Sequence, residues 1–278
     1  MIQDIGPKKF NNSFKLDAVP SENSLVIIHK NGEFLLKIDE QANTIKYPTV
    51  SDLNCDNDMT YLFSIDDEDF FFPNFEIDSY PEGFDFHNMR TLRKGPLFPK
   101  YYVFAAFTAI QLMQWYEGTK YCGRCGAANE NSKTERARVC PKCGKTVYPR
   151  INPAVIVGVI NGDKLLLTKY KTGFAHNALV AGFTEIGETM EETVVREVME
   201  ETGLHVKNIR YYKSQPWGIA SDILMGFYCD VDGDDTITMD ESELKYAQWV
   251  PRNEIELQPL DYSLTNEMMK MFKESKIS

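Results

Sequence analysis

The sequence predicts an α+β protein in which a β-rich N-terminal region precedes a four-cysteine segment and a C-terminal region of strands around one capped helix. Three observations support this: short apolar runs separated by turn residues, two Cys-x-x-Cys pairs, and a helical segment between strand-like runs. We therefore divide the chain into an N-terminal domain (1–118), a small cysteine-bearing segment (119–150) and a C-terminal domain (151–278).

Composition bounds the class of protein. The 278 residues are enough for two domains or for one with an insert, and a hydrophobic share of 43% supports a real core. The net charge of −11, from 30 basic and 41 acidic residues, argues against a general nucleic-acid coat protein. The chain shows neither a membrane-length apolar run nor a signal-peptide pattern at its first residues. We expect a cytoplasmic protein that does not associate with membranes.

The N-terminal domain is predicted to hold two hairpins and a helix. Residues 25–36 contain two apolar runs around Asn31-Gly32, a dipeptide typical of tight hairpin turns. Residues 61–72 form a second pair of apolar runs around an acidic turn at 66–69. From 103 to 116 the apolar spacing becomes helical.

The four-cysteine segment has the spacing of a metal site. Two Cys-x-x-Cys pairs are separated by fourteen residues, and each is followed by a glycine: Cys122, Cys125, Cys140 and Cys143. Four thiolates form a closed tetrahedral Zn²⁺ site, a zinc ribbon, in which no position is left for water, so we expect structural zinc. Disulfides are unlikely in a cytosolic chain, and a duplicated redox pair is equally so. A ribbon can also bind nucleic acid, but we interpret the Lys and Arg side chains between 133 and 145 as an ordinary surface set.

The C-terminal domain alternates strands with helices. Its first two strands join through Asn161-Gly162, and further strands follow the capped helix. The pattern predicts a mixed sheet with that helix packed on it. The predicted strands are 154–160, 164–168, 208–214, 224–231 and 246–250, and the C-terminal helix is 261–273.

The capped helix has clear ends. Thr189 followed by Glu192 makes a capping box at its start. Gly203 stands where a left-handed residue would end it. No Pro or Gly lies between them.

The same helix concentrates negative charge. A helical wheel places three apolar residues on the predicted buried face, Val195, Val198 and Met199, and three glutamates on the predicted exposed face, Glu197, Glu200 and Glu201. Like charges four residues apart destabilise a helix unless a cation lies between them. Carboxylate oxygens suit hard cations such as Mg²⁺ or Mn²⁺. A merely solvated acidic face is the weaker interpretation, because it leaves the coincidence of caps, glycines and spacing unexplained.

Residues 182–204 resemble a known motif. Gly182, then Glu188 after five residues, then Arg196 to Leu204 after seven more, is similar to the complete Nudix box. Members of that family hydrolyse nucleoside diphosphates linked to another group, and they use divalent metal. The resemblance implies an α/β/α sandwich with a mixed sheet, preceded here by the zinc ribbon and the β-rich N-terminal domain.

A second motif narrows the resemblance. Ser214-Gln215-Pro216-Trp217, thirteen residues past Glu201 and downstream of a zinc ribbon, is similar to the NADH pyrophosphatase (NudC-type) subfamily. The resemblance extends over residues 90–249. The subfamily usually continues with Pro-Phe-Pro, whereas this chain reads Gly218-Ile219-Ala220 before Ser221. We expect that loop to be more flexible without its prolines, and this leaves the preferred dinucleotide open.

Ligands for the catalytic metal follow partly from the helix and partly from the resemblance. Glu197 and Glu201 are the leading ligands, and Glu200 is either a further ligand or the base. The resemblance implies two more: the backbone carbonyl of Ala181 and a Glu on a later loop. Glu243 fits the latter best, with Glu241 as the rival.

Substrate residues are implied by the resemblance alone. Phe183 and Tyr148 occupy the positions where the subfamily stacks the nicotinamide, and because two subunits contribute those rings there, it implies a homodimer. The alternative is that both are core aromatics. Five further residues carry over as contacts of the dinucleotide: Gln215, Trp217, Ser221, Arg93 and Glu135.

The predicted activity is metal-dependent hydrolysis of NADH or NAD⁺ at the pyrophosphate, giving nicotinamide mononucleotide and AMP. Removal of an NAD cap from RNA is the same reaction on a larger substrate. One alternative is a Nudix hydrolase for another dinucleotide, such as ADP-ribose or diadenosine compounds. Another is a non-catalytic zinc-ribbon nucleotide sensor, against which the three intact glutamates argue.

Overall fold

The computed structural model describes residues 1–53, 58–172 and 176–277. They form two compact units. One comprises Ile2–Arg150 with Gly218–Ala220, and the other comprises Met1, Ile151–Trp217 and Ser221–Ser278. The further division of the first unit at residue 118 stays a prediction. Within the described ranges, no helix is both long and apolar enough to cross a bilayer.

The N-terminal unit is rich in short strands, as predicted. One sheet has the order β1-β6-β7-β2, and a second has the order β3-β4-β5 with β8 also paired to β4. The strands are β1 (Phe10–Asn11), β2 (Leu25–Val26), β3 (His29–Lys30), β4 (Glu33–Asp39), β5 (Thr44–Lys46), β6 (Met59–Ile65), β7 (Glu68–Pro73) and β8 (Asp85–Asn88). The helices are α1 (Val50–Leu53) and α2 (Lys100–Gly118).

Both predicted hairpins are present. At the first turn Asn31 has φ 53° and Gly32 has φ 82°, the left-handed pair that a tight hairpin between β3 and β4 requires. The second hairpin joins β6 to β7, and its turn is shorter than predicted because Glu68 already pairs with Ile65. The parallel pairing of β2 with β7 was not predicted.

Helix α2 is the central element of this unit. It extends the predicted helix at both ends, and it buries apolar side chains on most of its circumference. A helix that is apolar nearly all round packs inside a fold and not on its surface. Its buried residues include Phe104, Phe107, Ile110, Met113 and Trp115.

The zinc ribbon belongs to the same unit. Its three short strands are β9 (Glu130–Asn131), β10 (Arg138–Val139) and β11 (Thr146–Val147), in the order β11-β10-β9. Arg136 links it to the N-terminal sheet, because its Nη2 donates to the carbonyls of Asn12, at 3.0 Å, and Leu62, at 2.6 Å. Two charge-assisted hydrogen bonds from one guanidinium fix the ribbon against β6.

The C-terminal unit contains the predicted mixed sheet. Its strand order is β15-β16-β12-β13-β17, with β14 also paired to β12. β12 and β16 are parallel, whereas the other pairs are antiparallel. The elements are β12 (Asn152–Asn161), β13 (Lys164–Tyr170), β14 (Val180–Phe183), α3 (Met190–Thr202), β15 (Val206–Trp217), β16 (Asp222–Val231), β17 (Leu244–Pro251) and α4 (Leu264–Lys273).

The sheet lies between two helices. Alternate residues of β12 face opposite sides, as the pleat of a strand dictates. Val155, Val157 and Val159 share a cluster with residues of α3, while Ile156 and Ile160 share a cluster with residues of α4. The α/β/α sandwich that the resemblance implied is therefore confirmed.

The predicted strands are extended by one to three residues at one or both ends, and two further differences have a clear physical cause. α4 begins at Leu264 and not at 261, because the Ser263 hydroxyl accepts a hydrogen bond from the Asn266 backbone and caps the helix there. β14 was not predicted as a strand. It pairs with the middle of β12, and that non-local pairing leaves no periodic pattern in four residues.

Candidate active site

Helix α3 has the predicted ends. The Thr189 hydroxyl accepts from the Glu192 backbone, and the Glu192 carboxylate accepts from the Thr189 backbone, so the capping box is complete. Gly203 ends the helix at φ 70°. These local bonds fix where the glutamates of the helix begin and how they are spaced.

The predicted faces of α3 were partly wrong. Val194 is fully buried, whereas Val195 is 41% exposed. Glu201 is only 3% exposed, so it does not lie on a solvent face. The helix is rotated so that Glu201 is buried and Glu197 half-buried, while Glu191, Glu192 and Glu200 remain exposed.

Glu201 is held in an unusual state for a carboxylate. The Tyr170 hydroxyl donates to its Oε1 at 3.2 Å, while its Oε2 is buried without a hydrogen-bond partner among the described residues. Burial raises the pKa of Glu201 to about 8. A buried carboxylate oxygen without a hydrogen-bond donor destabilises the fold unless a cation binds to it.

Glu197 lies against the backbone of β14. A Cβ at Gly182 would stand 1.9 Å from its carboxyl carbon, so only glycine allows this approach. Burial also raises the pKa of Glu197, although Arg196 opposes this effect. Both carboxylates of the helix interior therefore lie beside the strand that carries Ala181.

Arg196 of α3 holds the loop of residues 183–188 against the helix through hydrogen bonds. Its Nε and Nη2 bind the two oxygens of Glu188 at 2.6 and 2.9 Å, and Nη2 also donates to the Phe183 carbonyl at 2.8 Å. Its Nη1 contacts Glu197 at 2.7 Å and Glu200 at 2.9 Å. The guanidinium lowers the pKa of Glu188 to about 2. Arg196 and Glu188 thus hold residues 183–188 against the start of α3.

Glu243 is favoured over Glu241 as the later acidic residue. Its negative charge raises the pKa of both Glu197 and Glu201, which means that it lies within electrostatic reach of them. The Glu241 backbone carbonyl accepts a hydrogen bond from Lys171 Nζ. The Glu243 carbonyl in turn accepts from the Lys171 backbone at 3.0 Å.

The residues present fit a hard divalent cation. The donors are all oxygens, the Glu201 Oε2 lacks a partner among the residues that the structure describes, and Gly182 opens the space beside Glu197. The carboxylate oxygens do not yet form a compact ligand set. Among the described residues, the four ribbon cysteines are the one group of three or more potential metal ligands whose ligand atoms all lie within 4.8 Å of one another.

That cysteine cluster confirms the predicted zinc site. The Sγ atoms of Cys122 and Cys143 are 3.6 Å apart, and those of Cys125 and Cys140 are 3.5 Å apart. All four are free thiols, which excludes the two-disulfide alternative in this structure. The Arg124 backbone N–H donates to Cys122 Sγ at 3.4 Å, and this bond lowers the pKa of that thiol.

Four of the predicted substrate residues lie in the C-terminal unit. Phe183 ends β14 and its ring is 53% exposed. Trp217 ends β15 and is half-buried, and Ser221 precedes β16 with φ 61°.

Gln215 is fully buried. Its side-chain nitrogen donates to the Tyr262 carbonyl at 2.8 Å, and its oxygen accepts from the Leu264 backbone at 2.7 Å. The amide thus joins β15 to the start of α4.

The other three predicted substrate residues lie in the N-terminal unit. The Tyr148 hydroxyl donates to the Glu135 carboxylate at 3.0 Å, and the tyrosine ring is 56% exposed. This exposure argues against the alternative that Tyr148 is a core aromatic. Arg93 is half-buried, and burial lowers its pKa.

Tyr170 is the residue that the sequence did not reveal. It ends β13, and its hydroxyl lies 3.2 Å from Glu201 Oε1 and 3.5 Å from the Ala181 carbonyl. Both partners are distant in the sequence, and no motif includes this position. Only the packing of α3 and β14 beside β13 brings the three together.

Family models match the two parts of the chain that carry these sites. Residues 150–272 match the NUDIX domain, and residues 119–148 match the NADH pyrophosphatase zinc ribbon domain. A NUDIX hydrolase structure from Nitrosomonas europaea is 23% identical, with a TM-score of 0.50 over 56% of this chain and 92% of its own. At this identity the likeness concerns the fold alone.

Curated relatives are more similar in sequence. The NAD-capped RNA hydrolase NudC of Enterobacter sp. (strain 638) is 42% identical over 153 residues, and that of Shigella dysenteriae serotype 1 is 39% identical over 164 residues. The matches cover 54% and 58% of this chain, and 58% and 63% of the two relatives, so the chain spans about three fifths of their length. Residues 119–272 of the chain thus match an NADH pyrophosphatase zinc ribbon domain followed directly by a NUDIX domain.

Proposed function

We propose that this protein hydrolyses the pyrophosphate bond of NADH or NAD⁺, giving nicotinamide mononucleotide and AMP. One observation carries the proposal: Glu201 keeps a buried oxygen without a partner among the described residues, beside Glu197 and the backbone of β14. We infer that this unpaired oxygen binds a divalent cation, which in turn binds the phosphates of the substrate. The names of the NudC relatives support the choice of an NAD-type substrate.

The protein groups have distinct roles in this reaction. We assign Glu197, Glu201, Glu243 and the Ala181 carbonyl as ligands of Mg²⁺ or Mn²⁺. When bound, the ion neutralises phosphate oxygens and makes water a better nucleophile. Glu200 is 60% exposed at its side chain, so water can reach it, and we assign it as the base. Water attacks one phosphorus, its proton passes to the base, and the bridging P–O bond breaks.

Arg196 positions these groups without touching substrate. Its Nη1 holds both Glu197 and Glu200, while its other nitrogens are bound to Glu188 and the Phe183 carbonyl. A shared guanidinium fixes the separation of the ligand and the base. Such preorganisation lowers the cost of aligning them during the reaction.

The nicotinamide requires aromatic surfaces. Phe183 and Tyr148 are each more than half exposed, which supports a stacking role. We propose that the active form is a homodimer in which both residues contribute, together with Trp217, Ser221, Arg93 and Glu135. Sedimentation equilibrium tests this, because a strictly monomeric active enzyme contradicts it.

A capped RNA is the larger substrate that we propose. The relatives are named for hydrolysis of NAD-capped RNA, and the bond broken is the same. We also propose that the protein acts in the cytoplasm, where cysteines stay reduced and remain available to zinc.

The central test compares wild type with Glu201→Gln on NADH, with products identified by mass. Wild type with Mg²⁺ or Mn²⁺ should release nicotinamide mononucleotide and AMP, and the variant should not. Glu191→Gln removes an exposed carboxylate of the same helix and is the matched control. Release of the same products by Glu201→Gln at the wild-type rate would overturn the proposal.

Another dinucleotide is the second candidate substrate. At Gly218 an added Cβ would lie 1.7 Å from the Phe107 carbonyl oxygen, so this position tolerates no proline or other side chain. The loop therefore differs from the Pro-Phe-Pro of the subfamily for a steric reason. A panel of NADH, ADP-ribose and diadenosine compounds decides, and NADH ranked last would favour this alternative.

A further inference from the structure

The zinc ribbon carries a charge opposite to that of the chain. Residues 119–150 contain eight Lys or Arg and two Glu, a formal charge of +6. The remaining 246 residues contain 22 basic and 39 acidic side chains, a formal charge of −17. The overall charge of −11 therefore conceals a compact basic segment within an acidic protein.

Three of these cations lie on the two loops that hold the zinc ligands. Arg124 lies between Cys122 and Cys125, and Lys142 and Lys145 flank Cys143. The cysteine sulfurs of the two loops lie 3.5 and 3.6 Å apart, so the loops meet at one end of the ribbon. A Cβ at Gly123 would lie 3.9 Å from Lys145 Nζ, which shows that Lys145 reaches across to the first loop. We call Arg124, Lys142 and Lys145 the knuckle cations.

The knuckle cations are available for a ligand. All three are exposed, and none makes an ion pair within 4.0 Å in the described part of the chain. By contrast, the guanidinium groups of Arg136 and Arg138 in the same ribbon donate hydrogen bonds to carbonyl and amide oxygens. The ribbon thus separates cations that support its fold from cations that face solvent.

Compensation of the zinc site does not account for this charge. Four thiolates and one Zn²⁺ sum to a formal charge of −2, which about two cations would offset. The ribbon carries +6, so a positive excess remains. Tyr121 immediately precedes Cys122 in the sequence, and its side chain is 68% exposed, so the first loop also offers an aromatic surface. Unpaired cations next to an exposed ring are the components of a surface for single-stranded nucleic acid.

We propose that the knuckle cations and Tyr121 bind the phosphate backbone and a base of single-stranded RNA. This inference rests on the proposed function, because an RNA that carries the dinucleotide at its 5′ end brings a phosphate chain that the acidic remainder of the protein repels. The basic ribbon supplies a local attraction for that chain. Free NADH has no such chain and does not need the surface.

The test measures binding separately from hydrolysis. An uncapped, fluorescently labelled single-stranded RNA is titrated with the full-length, zinc-loaded protein at several salt concentrations without Mg²⁺ or Mn²⁺. The triple variant Arg124→Gln, Lys142→Gln, Lys145→Gln should bind more than tenfold more weakly. Its log–log salt slope should fall by about 2, since each phosphate contact on a single strand contributes about 0.7.

A matched control removes the same number of charges elsewhere. Lys46→Gln, Lys164→Gln, Lys245→Gln changes three exposed lysines outside the ribbon and should leave RNA binding within about twofold of wild type. Zinc content and thermal unfolding confirm that both variants are folded. Equal losses in the two variants, or no RNA binding by wild type at low salt, would overturn the inference. Equally strong competition by poly-glutamate would also overturn it and would identify an acidic protein as the partner.

Hydrolysis distinguishes this inference from the proposed function. NADH turnover should be the same in wild type and both triple variants, while the KM for capped RNA should rise only in the knuckle variant. If NADH is hydrolysed but RNA does not bind, the inference alone fails. If RNA binds through the knuckle cations but neither substrate is hydrolysed, the proposed function fails and the RNA surface remains.

Discussion

The Tyr170 hydroxyl donates a hydrogen bond to the Oε1 atom of Glu201 at 3.2 Å, from the end of β13 to the last turn of α3. This bond stabilises the charged form of a carboxylate that burial disfavours, since it lowers the pKa while desolvation raises it. We therefore assign Tyr170 as a positioning residue for the metal ligand Glu201.

Tyr170→Phe should weaken Mn²⁺ binding without abolishing it. Loss of one hydrogen bond to a charged group costs about 1–3 kcal/mol, so the dissociation constant should rise about 5- to 150-fold near pH 7. Electron paramagnetic resonance of free Mn²⁺ measures this directly. Tyr211→Phe, at an exposed tyrosine, is the control, and equal Mn²⁺ affinity in both variants would contradict the assignment.

Loss of either principal ligand should nearly abolish turnover. Glu197→Gln and Glu201→Gln should each lower kcat by a factor on the order of 10²–10⁴, because the cation loses one charged ligand. The measurement is NADH hydrolysis at saturating Mg²⁺. Turnover within threefold of wild type in both variants would remove these residues from the site.

Gly182→Ala should damage the site while leaving the fold intact. The new Cβ would fall 1.9 Å from the Glu197 carboxyl carbon, so that side chain must move away from β14. We expect Mn²⁺ affinity and turnover to fall together, with the circular dichroism spectrum unchanged. Gly95→Ala is the control, because nothing lies within 4 Å of a Cβ there. Unchanged Mn²⁺ affinity would show that Glu197 is not a ligand.

Stability of the protein without Mg²⁺ or Mn²⁺ should fall as the pH rises. Burial raises the pKa of Glu201 to about 8 from its ordinary 4.5, so between these values the folded chain holds a proton that the unfolded chain has released. The stabilisation that this retained proton provides is fully present below pH 4.5 and is lost as the pH rises to about 8. The loss should amount to at most a few kcal/mol.

Urea unfolding at pH 5.5 and pH 8.5 measures that loss. Glu201→Gln cannot titrate at this position, so its difference in unfolding free energy between the two pH values should be smaller than that of wild type. An identical pH dependence in both proteins would show that Glu201 does not retain the proton.

Zinc should be structural and specific to the four cysteines. Cys140→Ser should lose about one zinc ion per chain and lower the melting temperature, because the ribbon is too small to fold on its own core. Cys229→Ala changes a buried cysteine outside the cluster and should keep its zinc even if it is less stable. Metal analysis by mass spectrometry decides, and full zinc content in Cys140→Ser would refute the ligand set.

Local features explain what the sequence predicted well. The ends of α3 depend on Thr189, Glu192 and Gly203, which act on their own neighbours, and the zinc ligands depend on short spacing between cysteines. Both can be recognised without knowledge of the fold. The turn at Asn31-Gly32 belongs to the same group, since its left-handed dihedral angles follow from these two residue types.

Tertiary packing explains the errors. A helical wheel gives the angle between residues but not the side that faces the sheet, so Val195 was assigned to the core in place of Val194. For the same reason Glu201 was expected in solvent. Gln215 belongs to a motif, yet its hydrogen-bond partners Tyr262 and Leu264 lie almost fifty residues away in the sequence. No local pattern reveals such partners.

The two hydrogen bonds from Arg136 to the carbonyls of Asn12 and Leu62 couple unfolding of the ribbon to unfolding of the N-terminal strands. One side chain of the ribbon satisfies carbonyls of the N-terminal strands, so a ribbon that unravels deprives those strands of donors at the same moment. Loss of zinc should therefore weaken backbone hydrogen bonding around Asn12 and Leu62, far from the metal in the sequence. Amide hydrogen exchange at residues 10–12 and 62–65 should therefore become faster when zinc is removed.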